Sequence, residues 1–178
     1  MSTKTLVKSI YLKEKVVTEN SAEALELFNN SRYGKSESDN KISLSLIEAL
    51  YLMEKKRLEV YDRRNHKLTY EEFFKKASKK QANFSIRYSV FKDLRNRGYI
   101  VKTALKFGAD FRVYERGIKP GEDHAKWVVF PVHESSSLTW YEYAAKNRVA
   151  HSTKKRLLLG VVDDEDDVSY WESRWIRP

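Results

Sequence analysis

Cysteine is missing from all 178 residues, which removes disulfides, zinc–thiolate sites and thiol nucleophiles together. Long apolar runs are missing as well. The longest, VVFPV and LLLGVV, fall far short of the ~18 residues that a bilayer-spanning helix needs. The opening MSTKTLVKSIYLKEK alternates and carries too much charge for a secretory signal. There is no Gly-rich phosphate loop, no G-x-S-x-G elbow, no low-complexity segment and no internal repeat. His66, His124, His133 and His151 lack the i+4 partner or carboxylate spacing of a metal site, so neither metal nor cofactor is expected. These absences together predict a soluble, cytoplasmic protein.

Positive charge is abundant. Thirty-four Lys and Arg face 25 Asp and Glu, a formal net charge of +9. The residues before position 83 hold 17 basic and 12 acidic groups and the rest 17 and 13, so the excess is spread over both halves. A folded basic surface of this kind suits a polyanion, nucleic acid being the commonest, although solubility alone explains it too.

Apolar residues make up 41% of the chain, enough for one large domain or two small ones. Residues 4–18 alternate as one or two strands turning near Lys13, and Ser21 caps a short helix over Ala22 to Phe28. SRYGKSESDNK reads as a loop. Ser45 with Glu48 and Thr69 with Glu72 form capping boxes that open two helices, with a strand at Leu58 to Tyr61 between them. KKQAN, near residues 79–83, reads as a link between subdomains.

The stretch 83–130 organises the second half. Phe84, Tyr88 and Phe91 recur at helical spacing, and Gly98 supplies a stop. Strands are predicted over Tyr99 to Thr103, Asp110 to Glu115 and Lys126 to Val132, the last entered from the loop GIKPGED. A helix from Ser136 or Ser137 to about Arg148 follows. RLLLGVV at 156–162 reads as a strand buried on both faces. The acidic turn DDEDD then leads to a last strand over Val168 to Ile176. The fold class is therefore α+β, as two mixed α/β subdomains at 1–82 and 83–178, with three helices and several strands in each half. The second subdomain is built on a central mixed sheet.

Chemistry-bearing residues gather around that stretch. Tyr114 at a strand end and His124 leaving a loop are ten positions apart, and Lys155 directly precedes the apolar strand. A histidine with a reference pKa of about 6.5 can protonate a leaving group. A tyrosine, at about 10, needs roughly 4 kcal/mol of help to act as a base at neutrality, part of which a nearby ammonium can supply. On spacing alone the same residues also fit a surface histidine, a core tyrosine and a solvated basic cluster.

RYSVFKDLRNRGYIVKTALKFGADFRVYERG, PGEDHAKWVV and RVAHSTKKRLLLGVVDDEDD, in that order, resemble the catalytic domain of the archaeal tRNA-intron (tRNA-splicing) endonucleases. RYG at 32–34 and LSLIEALYL at 44–52 resemble the N-terminal domain of the short form, so the likeness covers most of the chain. It implies a small nuclease domain whose metal-free triad is Tyr114, His124 and Lys155, with Lys154 the neighbour most easily mistaken for the last. Ala104, Ala125 and Trp127 depart from the usual pattern. The resemblance implies cleavage of precursor tRNA at bulge–helix–bulge junctions, leaving 2′,3′-cyclic phosphate and 5′-hydroxyl ends. It matches Arg148 to a base-stacking arginine, with Trp175 as the opposing plane and Tyr170 as the alternative. It implies a homotetramer, joined through Asp163, Asp164, Glu165, Asp166 and Asp167 and through the C-terminal strand. A catalytic subunit that needs a separate structural subunit, and a non-catalytic RNA-binding subunit, are the alternatives.

Overall fold

The computed structural model describes residues 6–178; positions 4 and 5 of the first expected strand lie outside them. The chain divides into two compact units, Met1–Phe84 and Ser85–Pro178. Each is built on a five-stranded mixed sheet, so the architecture is α+β.

In the first unit β1 (Val7–Tyr11), β2 (Lys15–Thr18), β3 (Lys35–Ser36), β4 (Ile42–Ser45) and β5 (Leu58–Tyr61) pair in the order β3-β4-β2-β1-β5. Only β1 and β5 run parallel. Three helices accompany them: α1 (Ala22–Asn29), α2 (Leu46–Glu54) and α3 (Tyr70–Lys80). Both capping boxes form as the sequence requires, at Ser45–Glu48 and Thr69–Glu72. α2 is apolar on nearly every side, because Leu46, Ile47, Ala49, Leu50 and Leu52 are all buried against β2, β4, β5 and α3.

The segment expected as a loop, SRYGKSESDNK, holds the short strand β3 and a single 3₁₀ turn at Ser38–Asn40. β4, directly ahead of α2, was not anticipated, because ISLS is too short for its alternation to stand out. Glu48 explains why the region is ordered. Its buried carboxylate accepts from the Gly34 N–H at 2.9 Å and from the Ser45 N–H and hydroxyl at 2.9 and 2.8 Å. Gly34 sits at φ +64°, and a Cβ there would meet the Ser43 carbonyl at 2.5 Å. Gly34→Ala should therefore lower stability by about 2–4 kcal/mol, from left-handed strain plus overpacking, read as a lower denaturation midpoint.

The second unit contains α4 (from Phe84, ending at Asn96), β6 (Ile100–Thr103), β7 (Phe111–Tyr114), β8 (Trp127–His133), α5 (Trp140–Ser152), β9 (Arg156–Val162) and β10 (Val168–Ser173). The sheet order is β10-β9-β8-β7-β6. β8 and β9 are parallel, linked through α5, and the other pairs are antiparallel. Two α-helices and one 3₁₀ turn (Leu105–Phe107) stand where three helices were expected.

Three other expectations are corrected. α5 begins at Trp140, because Thr139 with Glu142 makes the capping box, and it runs on to Ser152. β10 ends at Ser173, which leaves Trp175 outside the strand. β9 is not buried on both faces: Leu158, Leu159 and Val161 are half-buried, while Leu157 and Val162 are fully covered.

Each face of this sheet packs against a helix. Val128, Phe130 and Leu157 pack with Ala150 of α5. Phe111 meets Phe91 of α4 at 5.8 Å between ring centres, and Gly160 lies where any Cβ would press on Val90 of α4. The departures from the family pattern are accommodated. Ala104 takes φ −129°, open to any residue, and both Ala104 and Ala125 are buried. Trp127 stands edge-on to Tyr99 and donates its indole N–H to Glu172 at 2.8 Å.

Candidate active site

Strand pairing decides where the three singled-out residues meet. β7 ends at Tyr114, and its Val113 lies opposite Trp127, the first residue of β8. Trp127 in turn lies beside Arg156, the first residue of β9. The end of β7 and the beginnings of β8 and β9 thus share one end of the sheet. The ladder continues just past them, with Lys126 N–H donating to the Val113 carbonyl and Arg156 N–H to the Lys126 carbonyl, both at 2.9 Å.

Register also fixes the face. Arg112 pairs with Val128, and Val128 pairs with Leu157, so these three share the side that α5 covers. Tyr114 and Lys155 are two residues away from Arg112 and Leu157 along their own segments and point to that same side. The result is a cleft of about 470 Å³, lined by Arg112, Tyr114, Glu122, Asp123, His124 and Lys155, with loop residues 120–121 and Ala125.

The three side chains are held differently. Tyr114 is only 5% exposed. His124 is exposed on the loop before β8, where its N–H donates to Asp123 Oδ1 at 2.6 Å. Lys155 is half-buried just after α5; its N–H donates to the Ala150 carbonyl at 2.8 Å and its ammonium to the Thr153 carbonyl at 2.9 Å. Those carbonyls belong to the negative end of the α5 dipole. Burial nonetheless lowers the Lys155 pKa below the ordinary lysine value, and the charge of Arg112 pushes it the same way.

Lys154 turns the chain at φ +55° and opens onto a second, smaller groove of about 230 Å³. That groove is lined by Asn147, His151, Lys154, Lys155, Arg156, Arg174 and Trp175, among others. Lys155 is common to both, and Lys154 lies outside the cleft. Trp175 is half exposed in the groove, with its ring 4.3 Å from that of His151 and the Arg177 guanidinium 5.2 Å away. Arg148 is exposed on α5 and lines neither space.

Tyr170 is engaged elsewhere. Its hydroxyl donates to Asp93 Oδ2 at 2.7 Å, and its pKa is raised by burial and by that carboxylate. No sequence motif marks Arg112 or His151 as lining these spaces. Arg112 could have been found from its place two residues before Tyr114 on a strand, and His151 from its place one turn beyond Arg148 on a helix.

The acidic turn at 163–167 is self-bonded. Asp163 Oδ1 accepts the N–H groups of Glu165 and Asp167, both at 2.9 Å. Ser89 holds Asp166 at 2.9 Å and His133 lies 3.2 Å from Asp164, while the Asp164 side chain stays 88% exposed.

A phenol, an imidazole and an ammonium line one open cleft on a strongly basic chain, and groups of these types can pass protons and hold an anion. Comparison with known proteins adds the family to which the chain belongs. Residues 84–170 match the family model of the tRNA intron endonuclease catalytic C-terminal domain, and residues 7–74 that of its N-terminal domain. The chain is 49% identical over 141 residues to a tRNA-splicing endonuclease of Nanoarchaeum equitans, covering 76% of this chain and 90% of that protein. It is 43% identical over 152 residues to one from Pyrococcus abyssi (85% and 86% covered). With one from Pyrococcus furiosus it shares 38% over 174 residues (98% and 99% covered). The chain belongs to the tRNA intron endonuclease family, and it is an endonuclease. Among the described residues no helix is long and apolar enough to cross a membrane.

Proposed function

We propose that this endonuclease removes introns from precursor tRNA by cutting bulge–helix–bulge junctions, without a metal ion, through internal transesterification. The observation that carries this reading is the convergence of Tyr114, His124 and Lys155 on one cleft. Tyr114 takes the proton from a ribose 2′-hydroxyl, whose oxygen attacks the adjacent phosphorus. His124 protonates the departing 5′-oxygen, and Lys155 stabilises the charge that builds on the phosphorane-like transition state. The phosphorus–oxygen bond to the 5′-oxygen breaks as the bond to the 2′-oxygen forms, leaving a 2′,3′-cyclic phosphate and a 5′-hydroxyl. The nucleophile belongs to the substrate, so a deoxyribose at that position prevents cleavage.

The domain division assigned to this activity is 1–82 and 83–178, with the nuclease chemistry in the second. Arg148 and Trp175 are the proposed contacts to an extruded base. Trp175 has the stronger support, because it opens onto the groove that shares Lys155. Tyr170 is disfavoured by its bond to Asp93. Two cuts on one pseudo-symmetric RNA call for two sites at a fixed separation, which a homotetramer supplies. The carboxylates of residues 163–167, exposed from 164 onward, and the open edge of β10 are the surfaces assigned to that assembly, within the cytoplasm.

The test is cleavage of a minimal bulge–helix–bulge RNA by the protein alone, with native mass measured in parallel. Cutting should persist in EDTA and yield cyclic-phosphate ends, at a mass of four chains. A magnesium requirement, or linear 3′- or 5′-phosphate products, would overturn the mechanism. Activity that appears only with a second type of subunit would overturn the homotetramer.

A further inference from the structure

The cleft contains a cation that the triad does not use. Arg112 lies on β7 two residues before Tyr114 and, by register, on the same face as Lys155. Its side chain lines the cleft, and its Nε is buried without a hydrogen-bond partner. Such a position is costly for a guanidinium, whose five N–H groups demand acceptors. The carboxylates lining the cleft face the backbone and do not pair with Arg112: Asp123 Oδ1 accepts the His124 N–H at 2.6 Å, and Glu122 Oε2 accepts the Lys119 N–H at 3.3 Å. Among the described residues Arg112 forms no ion pair. What lies beside it is a second positive charge, that of Lys155.

Two like charges held side by side at one end of the sheet, one with a dehydrated and unpaired donor, call for an anion between them. We infer that Arg112 is a substrate-binding residue of the cleft, whose guanidinium grips a non-bridging oxygen of the scissile phosphodiester. The inference rests on the phosphodiester-cleaving reading of the site. A planar guanidinium suits the paired oxygens of a phosphate, whereas the neighbouring lysine acts as a point charge. Because part of the side chain is already out of water, the arriving phosphate gains the contact with little further dehydration of the protein. The phosphate also relieves the repulsion between Arg112 and Lys155. Arg112 thereby supplies what the triad lacks, a fork that fixes the phosphorus relative to Tyr114 and His124.

The experiment is single-turnover cleavage of the minimal bulged RNA by the wild-type protein, Arg112→Gln and Arg112→Lys. Each acts on the all-oxygen RNA and on the two separated phosphorothioate diastereomers at the scissile position. Arg112→Gln should slow the chemical step by about a hundredfold, as expected for losing one charged donor to the transition state, with a smaller change in RNA affinity. Arg112→Lys should recover part of that loss. One diastereomer should slow the wild-type protein more than the other, and that preference should disappear in Arg112→Gln, which a merely structural role would not produce. If Arg112→Gln fails to fold, as judged by its melting curve, Arg112→Lys carries the test through its own loss of diastereomer preference. Unchanged rates in both variants, or an unchanged preference, overturn the inference and leave the function standing. A wild-type protein that cuts none of the three RNAs overturns both.

Discussion

Replacing His124 with alanine should reduce the single-turnover rate by about 10²–10⁴, the usual worth of a positioned general acid, while RNA affinity and melting temperature stay close to those of the parent. Stability should hold because the imidazole is exposed on a loop, and the hydrogen bond its residue makes to Asp123 comes from the main chain. Surface changes of that kind stay within about 0.5 kcal/mol. Affinity should hold because, in the proposed mechanism, the proton goes to the departing 5′-oxygen, a need that arises only in the transition state. The check is a filter-binding titration beside the cleavage time course. Binding lost in proportion to rate would make His124 a contact or a structural residue and would remove the acid from the mechanism.

Lys155→Met should cost about 10²–10³ in rate, as for loss of an electrostatic contact to developing charge. Its effect on stability should run the other way. Burial and Arg112 lower the pKa of Lys155 in the folded protein, so folding works against its charged form. The unfolded chain then binds the proton more tightly, and stability rises with pH between the lowered value and the ordinary one near 10.4. Below that window the penalty is present in full, and it vanishes above it. At neutral pH the methionine variant, which keeps the stem and drops the charge, should melt no lower than its parent, and its melting temperature should depend less on alkaline pH. For activity, the rate should begin to fall at a pH below that of free lysine, and Arg112→Gln should move that alkaline limb upward. A Lys155→Met protein that unfolds readily would recast the ammonium as a structural group.

What could be read from the sequence, and what could not, follows from the range of the interactions involved. Thr69 with Glu72 and Ser45 with Glu48 are signals contained within four residues, and both capping boxes stand where they were expected. Ser136 and Ser137 predict an earlier start for α5, whereas the reciprocal capping pair is Thr139 and Glu142. RLLLGVV lacks alternation and so looked buried on both sides. The partial exposure of Leu158, Leu159 and Val161 depends on how far α4 and α5 extend over the sheet, which no local pattern records.

The site divides in the same way. Tyr114, His124 and Lys155 could be named from motifs, but their meeting depends on β8 and β9 lying parallel, a pairing made across 29 residues of sequence by Trp127 and Arg156. Nothing in the local sequence distinguishes Arg112 from the other basic residues of the chain. Only register shows that it shares a face with Tyr114 and Lys155. Arg148 and Trp175 were matched as a pair, yet the groove contains Trp175 with His151 and leaves Arg148 outside.

The hydrogen-bonded ladder that anchors Tyr114 and stops one residue short of Lys155 does not extend to residues 115–123, which deliver the imidazole. Two of the three proposed catalytic groups therefore sit at the end of a sheet, and the third rides on a segment whose length can vary without disturbing a single strand. If the proposed acid role of His124 holds, exchanging that segment between related enzymes offers a way to retune the angle and timing of proton delivery while the phenol and ammonium stay in place.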